Sequence, residues 1–142
     1  MPYLKKYDLF ISHAWSYGFY YESLIRILDN VFLFQYRNYS APHDKPLHNL
    51  NGTDVQTKKQ IREAIDRKIR PVNCVLVLSG MYAAHREWMQ YELDAACKFG
   101  KPIIGIKPYS NIRVPVAVSS VADIMVPWRT DSIISAIRTY SL

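Results

Sequence analysis

Val72-Asn73-Cys74-Val75-Leu76-Val77-Leu78-Ser79 and Pro102-Ile103-Ile104-Gly105-Ile106 are the two runs that decide the fold. Each is too short for a helix and too continuously apolar for a strand with one wet face. Strands covered on both sides read this way, and they belong to parallel sheets. Between the two runs, residues from about His85 to Phe99 carry apolar side chains at helical spacing, and Gly100 supplies a stop. A strand, a helix and a second strand in that order make one βαβ unit.

The same alternation extends outward. Downstream, a Pro-punctuated stretch holds at most one short helix. Asp123-Ile124-Met125-Val126 then reads as a strand, and Ile133, Ile134 and Ile137 mark a last helix with Thr130 or Asp131 as its cap. Upstream, Ile61, Ala64, Ile65 and Ile69 mark a helix stopped by Pro71. Before it lies a long Asn/Pro/His/Asp segment, Asn38 to Gly52. Val31 to Tyr36 (VFLFQY) is rich in β-branched and aromatic residues and predicts a strand. Tyr21, Leu24, Ile25 and Leu28 predict the first helix, and Tyr7-Asp8-Leu9-Phe10-Ile11-Ser12 the first strand.

No internal repeat or low-complexity linker appears, so residues 1–142 form one expected α/β domain. Five strands alternating with helices suggest a parallel sheet in the order 2-1-3-4-5 with helices on both faces. Such sheets bind ligands beyond the carboxyl ends of the strands where the winding reverses, here the first and third. That rule selects Ser12, His13, Ala14 and Trp15 after the first strand. After the third it selects Ser79, Gly80, Met81 and Tyr82, with Trp88 and Glu92 on the helix that follows. The loop after the second strand adds Asn38, Ser40, His43 and Asp44.

Each candidate has a plainer reading. Trp88 and Glu92 are four apart and share a helix face. Met89, Leu93, Ala96 and Cys97 predict the core stripe of that helix, with Glu92 at its border. A Glu there solvates a helix face as readily as it serves a site. Trp88 could be rim packing, Ser12 a cap for the next helix, and His13 a structurally partnered histidine. No G-x-S-x-G elbow supports a serine hydrolase. His43 and His48 lie near Asp44 without the i, i+4 pairing of a helical metal site, so no metal is expected. There is neither a G-x-G-x-x-G after the first strand nor a G-x-x-x-x-G-K-[ST] motif. A phosphoacceptor receiver would need carboxylates where Ser12 and His13 stand, and an FMN carrier a Ser/Thr-rich phosphate loop.

Composition sets outer limits. Half of the residues are apolar (49%), which a disordered chain would not show. The net charge of +6 tolerates an anionic ligand such as a dinucleotide. The basic residues Lys58, Lys59, Arg67, Lys68 and Arg70 gather in or beside one helix rather than along a reading element, so no nucleic-acid partner is expected. The two cysteines, Cys74 and Cys97, form no C-x-x-C and read as small core hydrophobes of a reducing compartment. No apolar run approaches membrane-spanning length, and Met1 to Asp8 contain no targeting run, so a cytoplasmic protein without a membrane partner is expected.

Four segments together resemble a known family. They are YDLFISHAW (7–15), the loop ending NYSAPHDKPL (38–47), VLVLSGMYAAHREWMQYELDAACKFGKPIIGIKP (75–108), and VPW with SIISAIR near the end. They look like bacterial TIR-like domains, most of all those of the Thoeris anti-phage systems. The likeness covers nearly the whole chain, and Val75–Pro108 is its most specific part. It implies a flavodoxin-like three-layer fold, in agreement with the reading above. It also implies cleavage of NAD at the nicotinamide–ribose bond, with NAD as substrate and no cofactor. The ADP-ribose product would become a signal, commonly a cyclic isomer, for a separate effector protein after a phage-derived trigger. Self-association would help complete such a site.

By this resemblance Glu92 is the catalytic residue and Trp88 the aromatic wall. Together with the switch-point rule it gives Ser12, His13, Ala14, Trp15, Ser40, Asp44, Tyr82 and Trp88 as the substrate-binding set. Arg86 departs from the pattern, since relatives often carry Ser two positions before the Trp. Two rival readings stand beside the enzyme. One is a non-catalytic TIR scaffold using the aromatic stretches Trp15–Tyr21 and Tyr36–Tyr39. The other is a different N-glycosyl-transfer enzyme, such as a relative of the nucleoside deoxyribosyltransferases.

Overall fold

The computed structural model describes residues 5–12, 18–40, 55–79, 86–107 and 114–142, with the side chains of residues 18, 19, 55–58 and 86–88 left aside. Five strands, β1 (Lys6–Ser12), β2 (Gln35–Asn38), β3 (Cys74–Leu78), β4 (Ile103–Ile106) and β5 (Ile124–Val126), form one sheet in the order β2-β1-β3-β4-β5. Every pairing is parallel. The helices are α1 (Gly18–Asp29), α2 (Val55–Ile69), α3 (Arg86–Lys98), the short α4 (Val116–Ser119) and α5 (Thr130–Tyr140). The strand order and the flavodoxin-like α/β architecture expected from the sequence are what the structure shows.

Chain direction and handedness place the helices. From β1 the chain steps one way to β2, then returns past β1 to β3 and continues to β4 and β5. Right-handed crossovers in opposite directions put α1 on one face of the sheet and α2 to α4 on the other. Accordingly α1 packs with α5, and α2 with α3. The central strands are sealed on both sides: all five residues of β3 and all four of β4 are buried.

Two residues just outside the strands lock the sheet together. Asn73 precedes β3. Its backbone N–H donates to the Asp8 carbonyl at 2.7 Å, and its Oδ1 accepts from the Asp8 N–H at 2.8 Å. Asp123 repeats the device before β5, with its N–H donating to the Ile103 carbonyl and its Oδ2 accepting from the Ile103 N–H, both at 2.8 Å. Each side chain supplies the acceptor that a strand too short to reach that N–H cannot. Asn73→Ala is expected to cost about 1–2 kcal/mol, because a part-buried N–H is left without its partner. Urea melts check this, and a midpoint equal to wild type would show that water replaces the amide oxygen.

The end of α3 explains its stop. Gly100 adopts φ +68°, the Lys101 N–H donates to the Ala96 carbonyl at 2.8 Å, and the Gly100 N–H to the Cys97 carbonyl at 3.1 Å. This is the left-handed C-cap that glycine adopts without steric cost. Beyond it, Arg70 and Lys98 sit over the Phe99 ring at 5.0 and 5.1 Å, so these cations lie along an aromatic surface.

The structure corrects three expectations. Val31–Phe34 is a turn, not the start of a strand. Leu33 has φ 60°, the Phe34 N–H reaches back to the Val31 carbonyl at 3.3 Å, and Phe32 is 85% exposed. The register Lys6↔Gln35 to Leu9↔Asn38 moves β2 onto the polar residues QYRN, where Arg37 clasps its cross-strand neighbour Asp8 at 2.6 and 3.1 Å. The aromatic content there serves packing instead. Phe34 stacks on Tyr7 with centroids 5.4 Å apart, and the Arg138 guanidinium lies over the Phe34 ring at 5.7 Å from its centre.

The second correction concerns α5. Neither Thr130 nor Asp131 caps it: the cap position is Arg129, which makes no side-chain cap bond. Asp131 instead lies in the first turn, where its carboxylate meets the positive end of the helix and accepts from the Ser132 N–H at 2.9 Å.

The third concerns Cys97, which is exposed, whereas Cys74 is buried. The inward stripe of α3 is Met89, Glu92, Leu93 and Ala96, an i, i+3, i+4, i+7 set. Glu92 takes the core position expected for Cys97. Burial pushes the Cys74 thiol up to about 12. Cys97 is raised too, first by partial burial and then by the Asp94 and Asp123 carboxylates. Since the thiolate is the reactive form, Cys74 in native protein is expected to resist a thiol reagent at pH 8. Only Cys97 should react, and slowly, with the second thiol appearing in denaturant. Rapid native labelling at Cys74 would contradict its burial.

Candidate functional site

A carboxylate in a core stripe demands a partner, because an unpaired buried charge is costly. Glu92 is 4% exposed and has one in Ser12, which is fully buried. The Ser12 Oγ donates to Glu92 Oε1 at 2.7 Å. Ser12 is the last residue of β1, paired in register with Val77 of β3, so its Cβ is held by the centre of the sheet. The contact joins the carboxyl end of β1 to the helix after β3. Those are the two elements between which the winding reverses.

A second polar cluster lies at the end of β2. Asn38 Nδ2 donates to the Tyr21 hydroxyl at 2.7 Å, and Asn38 Oδ1 accepts from the Ser40 N–H at 3.0 Å and from the Ser40 hydroxyl. Tyr21 and Ser40 are both buried, with their hydroxyl oxygens 3.5 Å apart. Alternation along the strands gives the relation between the two clusters. Side chains of paired residues in adjacent parallel strands share a face, and i, i+2 residues do too. Ser12 points to the α3 side. Leu9 and its register partner Asn38 therefore point to the α1 side, where Tyr21 meets Asn38. The clusters occupy opposite faces of the same sheet edge.

Of the sequence-predicted residues, the structure thus brings together Ser12 and Glu92. Ser40 is buried in the other cluster. Trp88 lies within α3, one turn before Glu92, and its side chain is outside the description, as is that of Arg86. His13, Ala14, Trp15, Asp44 and Tyr82 lie outside the described residues. Ser79, at the end of β3, is spent on the sheet: its hydroxyl donates to the Ile106 carbonyl at 2.9 Å. Sequence reasoning placed Tyr21 in the core stripe of α1 and gave it no polar role. The available signal was the residue type, since a Tyr in an apolar stripe carries a hydroxyl that must find a partner.

These features can now be set beside known proteins. The family model described as "Thoeris protein ThsB, TIR-like domain" matches residues 10–113, a span running from the end of β1 through β4 and containing both polar clusters. The chain belongs to the ThsB TIR-like family of Thoeris systems. No curated protein matches the chain. Among solved structures, this ThsB-family domain is similar to a 2-deoxyribosyltransferase from Bacillus psychrosaccharolyticus. The TM-score is 0.64 with 9% identity, over 89% of each chain. It is also similar to the Clostridium botulinum CMP N-glycosidase, with TM-score 0.54 and 11% identity, over 92% of this chain and 98% of the other. At such identities the likeness is one of fold. Among the described residues, no helix of this ThsB-family chain is long and apolar enough to cross a membrane.

Proposed function

We propose that the protein is a Thoeris defence enzyme that cleaves NAD at the nicotinamide–ribose bond, with Glu92 as its catalytic carboxylate. The observation carrying this reading is the buried Glu92 carboxylate, fixed at 2.7 Å by Ser12 at the winding reversal of a ThsB-family TIR-like domain. Burial of a charged group in a core stripe costs stability, and such groups gather at functional sites.

The chemistry suits one carboxylate. Nicotinamide in NAD is a cationic leaving group. As the C1′–N bond breaks, its electron pair neutralises the ring, so no strong general acid is needed. Positive charge develops on the ribose, and a fixed carboxylate nearby stabilises it more in the transition state than in the ground state. Water at C1′ then gives ADP-ribose and a proton. A nucleophile within the same molecule gives a cyclic isomer, the form in which a separate effector would read the signal. Trp88, one turn before Glu92, would wall the site against water.

Purified protein incubated with NAD, alone and with lysate from phage-infected cells, tests the reading by mass spectrometry. Nicotinamide and an ADP-ribose-derived product are expected, both dependent on Glu92. A second reading is cleavage of a nucleoside or nucleotide N-glycosidic bond, in line with the activities of the two similar folds. Release of free base from deoxynucleosides or CMP, with indifference to NAD, would select it. Inertness toward all of them would leave the TIR domain as a scaffold.

A further inference from the structure

We infer that Ser12 is a positioning residue, which sets the orientation of the Glu92 carboxylate and does not itself bind substrate. This rests on Glu92 being the catalytic group of the proposed cleavage. Ser12 was expected from its place at the strand end to touch the ligand. Three observations point elsewhere. Its side chain is fully buried, deeper than that of Glu92, so it lies behind the carboxylate. Its single hydroxyl proton is committed, since the Ser12 Oγ is the donor in the 2.7 Å contact with Glu92 Oε1. Its backbone is fixed by pairing with β3, and it has one side-chain torsion, so the donor has little freedom.

Glu92 is the opposite case. It has three side-chain torsions and sits on a helix, where several rotamers would otherwise compete. A fixed donor on Oε1 selects one of them and sets the plane of the carboxylate. The direction of its charge relative to a bound ribose then follows from β1 rather than from α3 alone. Serine suits this position because it supplies a donor on the shortest possible stem. Alanine would fit the space but remove the donor that fixes Oε1.

The experiment compares wild type, Ser12→Ala, Ser12→Thr and Ser12→Cys in steady-state NAD cleavage under activating conditions, normalised to folded protein by circular dichroism. Ser12→Ala is expected to lose ~10–100-fold in kcat, the scale of a misplaced catalytic group. Its KM for NAD should stay within about threefold, because uniform binding is untouched. Ser12→Thr keeps the hydroxyl and is expected to recover most of kcat. Ser12→Cys, similar in size but a weak donor, should fall near Ser12→Ala, and it decides the matter if Ser12→Ala does not fold. A rise in KM at constant kcat would make Ser12 a substrate ligand and overturn the inference, as would a wild-type kcat in both the Ala and Cys variants. These outcomes differ from a failure of the proposed reaction, in which wild type itself releases no nicotinamide.

Discussion

On the proposed reading, Glu92→Gln is expected to leave a folded protein whose release of nicotinamide from NAD falls by ~10³-fold. The magnitude is that of removing an electrostatic stabiliser aimed at charge developing in the transition state. Glutamine matches glutamate in shape and retains an amide oxygen to accept from the Ser12 hydroxyl, so the contact between β1 and α3 survives. What is lost is the charge. The same substitution removes a buried ion from the core stripe of α3, and replacing buried charge by a neutral group of the same shape is often neutral or stabilising. The thermal midpoint should therefore equal or exceed that of wild type while activity vanishes. This opposition separates a catalytic carboxylate from a structural one. Nicotinamide measured by chromatography, beside a melting curve, provides both readings. Wild-type turnover by the variant would remove Glu92 from the chemistry.

Phe10→Ala is expected to be the most damaging single change to the fold, at about 3–5 kcal/mol. Phe10 is 1% exposed and lies in β1, which is hydrogen-bonded to both β2 and β3. Deleting its ring removes the transfer energy of a large apolar surface and leaves a cavity that a sheet sealed on both faces cannot close. For a domain of this size the midpoint should fall by roughly 10 °C, at about 2–4 °C for each kcal/mol. Phe10 and Ser12 are two apart and share the face toward α3. Folded variant at low temperature should thus also lose turnover, since the end of β1 carries the donor for Glu92. Urea and thermal melts measure the stability, and a loss below about 1 kcal/mol would place Phe10 outside the core, against its burial.

The elements legible in the sequence were those whose pattern reflects burial on both faces. VLVL in β3 and IIGI in β4 could be read because every residue is inside, and α3 could be ended at Gly100 because a glycine adopts the left-handed cap without steric cost. The second strand was misread because VFLF supplies apolar residues without saying which way they face. Leu33 turns the chain left-handed there, and Phe34 spends its ring on Tyr7. The Asn73 and Asp123 clamps were invisible for a related reason. An Asn or Asp before a strand reads as ordinary loop chemistry until a neighbouring strand presents an N–H to it.

The site divides in the same way. Strand alternation was enough to determine the sheet order, and the order determined the edge where Ser12 and Glu92 would lie. Local periodicity could not determine that Glu92 points inward. On α3, residues 92 and 97 compete for the same stripe, and apolar character favours Cys97. The tertiary structure chose Glu92, because rotation of a helix about its axis is set by everything it packs against. The partnership of Ser12 with Glu92 joins residues 80 apart in the chain. No sequence period encodes such a contact. It exists because parallel crossovers carry the ends of β1 and β3 to the same edge, where one hydroxyl meets one carboxylate.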